Sequence, residues 1–520
     1  MMEELSNENN NNDLNNISGS SKSVKKNYIY NLLFQIFLMI VPLVTTPYVS
    51  RVLTPEGIGQ YSFSSSILLY FTLFGSLGFG YYAQREISKY QNDIKKQSIV
   101  FWEINICKCI PVSIAVLINV LLFSMGVYKE YNTIMQIFTI NIFAIILDIS
   151  FFFQGNENFK SLVIRNVIVK VLSVASIFIF VKAQGDLWVY TLINALSVLF
   201  SNIIMIFSLR KYLVKVNLRD LRPLKHMPGT ILLFLPTIAV SIYTVLDKTL
   251  IGLLIQEQYT VIGENGEEIV KKYSDLENGY YEQSEKIVKL AMTVITALGT
   301  VMIPRNSHEL SIGNIEGVRN NLKNSALYVL FIGVPLMLGL IVVSPNFVPW
   351  FFGEEYNKCI VLMRILSPLI IIIGFSHVLG LQYLVPSGND KKFTIAMIVG
   401  AVSNLLLNLI MIRFWWSIGA AIATIAAELL VTVTMAFMVR KEVNLLKILV
   451  EGWKYYIAGG LMFVVCYFIG RNFSPSIVHT LIIVSVGVVI YFITLLLLRE
   501  KLLCVFLKKA LNKIKKNTVA

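Results

Sequence analysis

Charge is the scarcest ingredient of this sequence: 15% of its 520 residues are Asp, Glu, Lys or Arg, against 56% hydrophobic. A chain of this length that folded in water would need far more polar surface, so a soluble enzyme with a large catalytic domain is excluded. Histidine and cysteine are equally sparse, with four and five copies. Cys107, Cys109, Cys359, Cys466 and Cys504 form no Cys-x-x-Cys pair and have no histidine cluster beside them, so no zinc site or disulfide framework is expected. They read as buried filler. No Walker A sequence occurs, which excludes ATP hydrolysis by this chain, and no cofactor is expected. A cleavable signal peptide is not expected either, because residues 1–26 are polar and Asn-rich; they read as a disordered cytoplasmic tail.

What the chain has instead is long apolar runs and a mean hydropathy of +0.68. At about 20 residues per crossing, these runs predict an all-α polytopic membrane protein of about 14 transmembrane helices, arranged as two six-helix bundles plus two extra helices. Spans are expected at about 27–50, 57–84, 99–125, 132–154, 160–182 and 187–209, which form the N-terminal bundle, 27–209. A basic cytoplasmic linker, 210–229, leads to spans at about 230–256, 279–306, 325–346, 359–387, 392–413 and 417–440, the C-terminal bundle, 230–440. Helices 13 and 14, at about 453–471 and 477–499, lie within 441–499, and a basic tail follows over 500–520. The net charge of +14 reflects Lys and Arg held in cytoplasmic loops against anionic lipid rather than nucleic-acid binding. Most of the 45 basic residues fall in tails and loops on one side, which places both termini and Arg210 to Lys225 in the cytoplasm. The loop from Glu257 to Asn278, acidic and too short to fold as a domain, is then external.

The halves resemble one another. With an offset of 220, Gly59, Tyr61, Ser64, Ile67 and Arg85 fall on Gly279, Tyr281, Ser284, Ile287 and Arg305, and Gly155-Asn156-Glu157 is echoed by Gly388-Asn389-Asp390. Leu53 to Tyr61, Leu147-Asp148-Ile149-Ser150 followed by aromatics and Gln154-Gly155, Leu246 to Gly252, and Gly279-Tyr280-Tyr281 through Pro304-Arg305 resemble the polysaccharide transporter family. These are the Wzx-like repeat-unit flippases of the multidrug/oligosaccharidyl-lipid/polysaccharide exporter superfamily, and the resemblance runs over nearly the whole chain. One departure is Phe151, where tryptophan is expected. The resemblance implies translocation of an undecaprenyl-diphosphate-linked oligosaccharide from the inner to the outer leaflet of the cell membrane. It implies no enzymatic step, and it implies membrane lipids, glycosyltransferases and a polymerase as partners.

Nine ionisable residues are assigned to the spans: Lys108, Asp148, Lys170, Asp247, Lys248, Glu285, Lys289, Arg364 and Glu428. Each Lys or Arg at mid-bilayer costs about 2.5 to 3.5 kcal/mol, so these side chains must face a cavity or one another. Lys170 lies too deep for its stem to reach the interface, and no acidic residue stands three or four positions away. It is the first candidate for contact with an anionic substrate, followed by Lys289, Lys248 and Lys108. Lys289 has Glu285 one turn earlier and could pair with it. Arg364, near the outer end of its span, reads as snorkelling. Asp148, Asp247 and Glu428 are candidate ion or counter-ion sites, His377 a packing histidine, and Arg85 and Arg305 topological charges. A basic polar cleft between bundles would offset a diphosphate and solvate sugar hydroxyls, leaving the polyprenyl chain in lipid, with access alternating between the two sides. The alternatives are a cation-coupled multidrug antiporter of the same superfamily, which favours an acidic cavity, or a membrane polysaccharide polymerase, for which no paired catalytic groups stand out.

Overall fold

The computed structural model describes residues 2–209, 211–262, 267–500 and 503–504, with side chains from residue 34 onward except at 159, 160, 218, 233, 235–243 and 300. Sixteen helices follow in chain order: α1 Met2–Ser76, α2 Phe79–Ser88, α3 Ile94–Ser124, α4 Asn132–Leu147, α5 Ser150–Gly155, α6 Phe159–Phe180, α7 Leu187–Leu209 and α8 Met227–Leu254, then α9 Tyr273–Ser311, α10 Ile315–Phe351, α11 Lys358–Leu366, α12 Leu369–Leu379, α13 Asp390–Met438, α14 Leu445–Glu451, α15 Trp453–Arg471 and α16 Ile477–Leu497. Among the described residues, eleven helical stretches are long and apolar enough to cross a membrane. Two of them, Phe34–Ser88 and Asp390–Met438, each hold two expected spans, and α8 supplies the remaining one. The protein is therefore a multi-pass α-helical membrane protein of about fourteen spans.

The helices break where local chemistry stops them. In α1 the break is Thr54, at φ 59° and ψ 172°, and in α13 it is Trp416, at φ 52° and ψ −128°. Both fall between expected spans. A positive φ at a residue with a Cβ costs about 1–3 kcal/mol and persists only where the surroundings impose it. Leu77 and Gly78, both at positive φ, separate α1 from α2. Span 4 is broken at Asp148, whose carboxylate accepts the Ser150 N–H at 2.9 Å where α5 begins. Its counterpart, span 10, is broken at Ser367-Pro368 and ends in a π-helical turn, Gly380–Leu384. Prolines inside α10 free carbonyls one turn earlier. The Tyr491 hydroxyl donates to the Phe331 carbonyl that Pro335 leaves open, at 2.8 Å, and Arg364 Nε donates to the Ile341 carbonyl that Pro345 leaves open, at 3.2 Å. Arg364 is thus hydrogen-bonded as well as exposed.

Three features differ from expectation. The backbone of residues 2–26 continues α1, where composition predicted disorder; once a helix is nucleated, each added residue gains a hydrogen bond. The loop expected over Glu257 to Asn278 contains a hairpin, β1 Gln258–Ile262 paired antiparallel with β2 Glu268–Lys272, and α9 starts directly after it, six residues before the expected span. Cys109 and Cys504 are half-buried rather than buried. Of the basic tail expected over 500–520, all but 500, 503 and 504 lies outside the described residues, as does Arg210.

The chain forms two compact units, Met1–Leu53 with Ser64–Ser241, and Thr54–Phe63 with Ile242–Ala520. The expected six-plus-eight division is crossed by two segments: 54–63 clusters with the second unit and 227–241 with the first. The first unit has a core of Phe79 and Ile87 from α2, Phe101 and Ile104 from α3, and Phe151–Phe153 from α5. That of the second runs through α10, α12, α13 and α16, from Leu330 and Ile370 to Met435 and Tyr491. Within the second unit, Gly59 and Gly279, equivalent in the repeat, stand at one helix crossing. A Cβ on Gly59 would overlap the Asp275 carbonyl, and one on Gly279 the Pro55 carbonyl. Small residues let the two backbones touch. Gln60 Nε2 donates to Asp275 at 3.2 Å and Ser62 Oγ to Glu282 at 3.1 Å, a pair that again spans 220 positions.

Candidate functional site

The first unit holds a cavity of about 640 Å3 lined by α6 and α7, with Asp148 and Ser150 at the span-4 break. Lys170, in the middle of α6, lines it beside Arg165, Asn166 and Ser201. Lys170 makes no hydrogen bond or ion pair among the described residues. Arg165 Nε and one terminal nitrogen fork onto the Asn166 side-chain oxygen at 3.1 and 2.6 Å, while its other terminal nitrogen is buried with no partner among the described residues. Asp148 lines the same cavity, yet no cation comes within ion-pair distance of its carboxylate among the described residues. Two cationic groups with unfilled donors therefore border one polar space, where a buried donor left unmade costs about 1–3 kcal/mol. An anion with several acceptor oxygens meets that demand.

Lys108 points elsewhere. It is 3% exposed, donates to the Asp148 backbone carbonyl at 2.6 Å and lies 5.4 Å from the centroid of the Phe151 ring. The carbonyl is free because α4 has ended there, so this lysine closes the span-4 break. Phe151, the departure from the expected tryptophan, supplies the aromatic face beneath it.

In the second unit the remaining candidates meet. Lys248 bridges Glu282 at 2.5 Å and Glu285 at 3.0 Å, Glu285 also pairs with Lys289 at 2.6 Å, and Lys286 stands 3.6 Å from Glu282. The pairing anticipated between Glu285 and Lys289 is present. Asp247 pairs with no member of this ladder: its carboxylate accepts from the Tyr281 hydroxyl, the Thr424 hydroxyl and Asn408 Nδ2, each at 2.6 Å, and from Asn404 Nδ2 at 3.2 Å. Its neighbours are neutral donors, and the side-chain oxygens of Asn404 and Asn408 are themselves buried without partners among the described residues. Such a carboxylate with free amide oxygens beside it can hold a proton or a hard monovalent cation. Asp247, Glu285, Lys289, Asn404, Thr424 and Glu428 border a smaller cavity of about 160 Å3. It is acidic on balance, whereas the cavity of the first unit is basic.

His377 is half-buried with no hydrogen-bond partner among the described residues, a packing histidine but not a satisfied one. The sequence reading left out four charges in these helices, Glu103, Arg165, Glu282 and Lys286. Arg165 was discoverable, since it lies within the expected span 5, five residues from Lys170. Glu103 lies inside α3 but is 1% exposed and occupied by the linker: it accepts Lys225 Nζ at 2.5 Å, His226 Nε2 at 3.0 Å and the Arg222 N–H at 2.7 Å. The Tyr82 hydroxyl and His226 Nδ1 share a hydrogen bond at 2.8 Å. Burial pushes the His226 imidazole below its ordinary value, and Glu103 opposes that shift. Farther up the linker, the Val214 N–H donates to Ser98 Oγ at 3.1 Å, and Tyr212 packs edge-on against Phe152 and Phe153.

The chain is 24% identical over 423 residues to the "Putative O-antigen transporter" of Escherichia coli K12, covering 81% of this chain and 97% of that one. Among solved structures, the lipid II flippase MurJ in an inward closed conformation shares the fold with a TM-score of 0.69 at 16% identity, covering 91% of this chain and 99% of that one. A multidrug resistance MATE family transporter of the MOP superfamily, inward-facing, gives a TM-score of 0.60 at 14% identity over 78% of this chain and 94% of that one. The pattern of the family described as "Polysaccharide biosynthesis protein" matches residues 24–309, more than half of the sequence, and the chain belongs to that family.

Proposed function

We propose that the protein is a flippase that moves an undecaprenyl-diphosphate-linked oligosaccharide from the inner to the outer leaflet of the cell membrane by alternating access. The observation that carries this reading is the basic cavity of the first unit, where Lys170 and Arg165 offer unfilled donors to an anionic head group. Family membership and the similarity to an O-antigen transporter support a lipid-linked glycan as the cargo. Deleting the gene is expected to leave lipid-linked repeat units on the cytoplasmic leaflet and to remove the surface polymer. Normal polymer in a deletion strain with no second flippase overturns the reading. The acidic cavity of the second unit favours one rival, a cation-coupled multidrug antiporter, and the same strain separates the two, since loss of an antiporter raises drug sensitivity and leaves the polymer intact.

The orientation belongs to this proposal: both termini and the 210–225 segment in the cytoplasm, the β1–β2 hairpin outside. A single cysteine at Gln258, in a variant lacking the native five, is expected to react with an impermeant thiol reagent in intact cells, and one at Lys215 only after lysis. The reverse pattern inverts the topology.

A further inference from the structure

Between the C-terminal end of α8 and the break of α13 lies a second polar cavity, of about 280 Å3, in the second unit. Gln256, Glu257, Arg413 and Trp416 border it together with the last residues of α8. The α8 terminus brings carbonyls that no further helical turn satisfies. Gln256, Glu257 and Arg413 are exposed, and none of the three side chains has a hydrogen-bond or ion-pair partner among the described residues. Trp416, at its strained φ of 52°, is flanked by neighbours on α9 and α11 while still lining the cavity. Tyr273 packs on its ring at 5.2 Å, Lys358 Nζ lies 5.4 Å from its centroid, and Glu277 accepts from both the N–H and the hydroxyl of Ser417 and from Lys358 at 2.6 Å. The next two residues outward, Phe414 and Trp415, are 73% and 55% exposed, as aromatic side chains are at a membrane–water interface. The cavity thus sits at the interfacial end of the helices, on the hairpin side of the chain.

Its chemistry is that of a carbohydrate site. A guanidinium fork, a carboxylate, an amide and helix-end carbonyls alternate donors with acceptors, as the paired hydroxyls of a sugar ring require, and the indole supplies an apolar wall. The volume is at the lower end for small-molecule sites, about 300 Å3, room for one ring rather than a whole repeat unit. An anionic group alone would leave Glu257 opposed; an apolar chain would leave all three polar side chains unmet. We propose that this cavity is a subsite for one sugar ring of the lipid-linked oligosaccharide on the outer side of the membrane, an inference that rests on the flippase reading above.

The test uses full-length protein in nanodiscs and the water-soluble oligosaccharide released by mild acid from the lipid-linked repeat units of the same cells. Saturation-transfer NMR is expected to detect contact with sugar-ring protons in the wild type, to fall at least about five-fold in Arg413→Gln and in Glu257→Gln, and to persist in Lys447→Gln, an exposed residue of α14 that borders neither cavity. Because both cavity residues are exposed and make no internal bonds, their variants should melt with the wild type, which a thermal scan checks. A wild type without signal, or cavity variants that bind as well as the wild type, overturns the subsite. Surface polymer made normally without the gene overturns the flippase reading instead, whatever the cavity binds.

Discussion

Replacing Lys170 with alanine is expected to reduce transport by roughly 10- to 100-fold at unchanged membrane abundance, the range that corresponds to one charge-assisted hydrogen bond of about 1.5–3 kcal/mol. Lys170→Arg, which keeps the charge and has reach to spare, should stay within about three-fold of the wild type. Arg165→Gln is expected to fall between these two, because part of its guanidinium is already engaged with Asn166. The assay is accumulation of lipid-linked repeat units in cells carrying each variant. The competing account makes Lys170 a structural charge balanced through the cavity by Asp148. If that held, the Lys170→Ala, Asp148→Ala double variant would regain activity, since neither charge is then left alone in a low-dielectric site. Rescue by the double variant sinks the substrate-contact role. Continued loss supports it.

The second large effect concerns the crossing at Gly59 and Gly279. Leucine at either position would drive a side chain into a backbone carbonyl that cannot swing aside, so the crossing must open. Overpacking of this kind costs about 1–3 kcal/mol, enough to shift an evenly balanced conformational equilibrium by roughly 5- to 150-fold. Gly59→Leu and Gly279→Leu are each expected to lower transport by roughly 3- to 75-fold, and to expose Ser62, which is 1% exposed here. A single cysteine at Ser62 should react slowly with a thiol reagent in the parent protein and quickly in either leucine variant. Unchanged reactivity together with unchanged transport would show that the close approach is only packing.

Much of this architecture was legible because membrane spans write themselves in long apolar runs, and because the breaks fall between such runs, Thr54 in the polar gap 51–56 and Trp416 in the aromatic gap 414–416 just after Arg413. The offset of 220 pairs Gly59 with Gly279, although nothing in their spacing said that the two glycines would stand at one helix crossing. Candidate charges were harder. Lys170 and Lys108 look alike in sequence, each a lysine deep in an apolar run, and differ because α4 stops at Asp148 and offers Lys108 a carbonyl. That is a tertiary fact. Asp247 and Lys248, adjacent on α8, must point in different directions. The sequence could not say that Lys248 would find two glutamates and Asp247 only neutral donors. Glu103 was missed for the opposite reason: its partners lie more than a hundred residues away, in a segment that reads as a plain basic linker.

That segment bears on the mechanics of the molecule. A tether between two bodies is ordinarily slack, and slack is what lets them move. Here Tyr212, Val214, Arg222, Lys225 and His226 are each bonded or packed onto the first unit, so the stretch that sequence marks as a connector travels with that unit as a rigid strap. The chain passes from one unit to the other only at 53/54 and 63/64, inside α1, and at 241/242, inside α8. Whatever displacement the two bodies undergo must be taken up by the bending of continuous helices at those points, Thr54 already carrying a non-helical φ. Lengthening the strap would add no freedom of movement, whereas stiffening the joint at Thr54 would remove some.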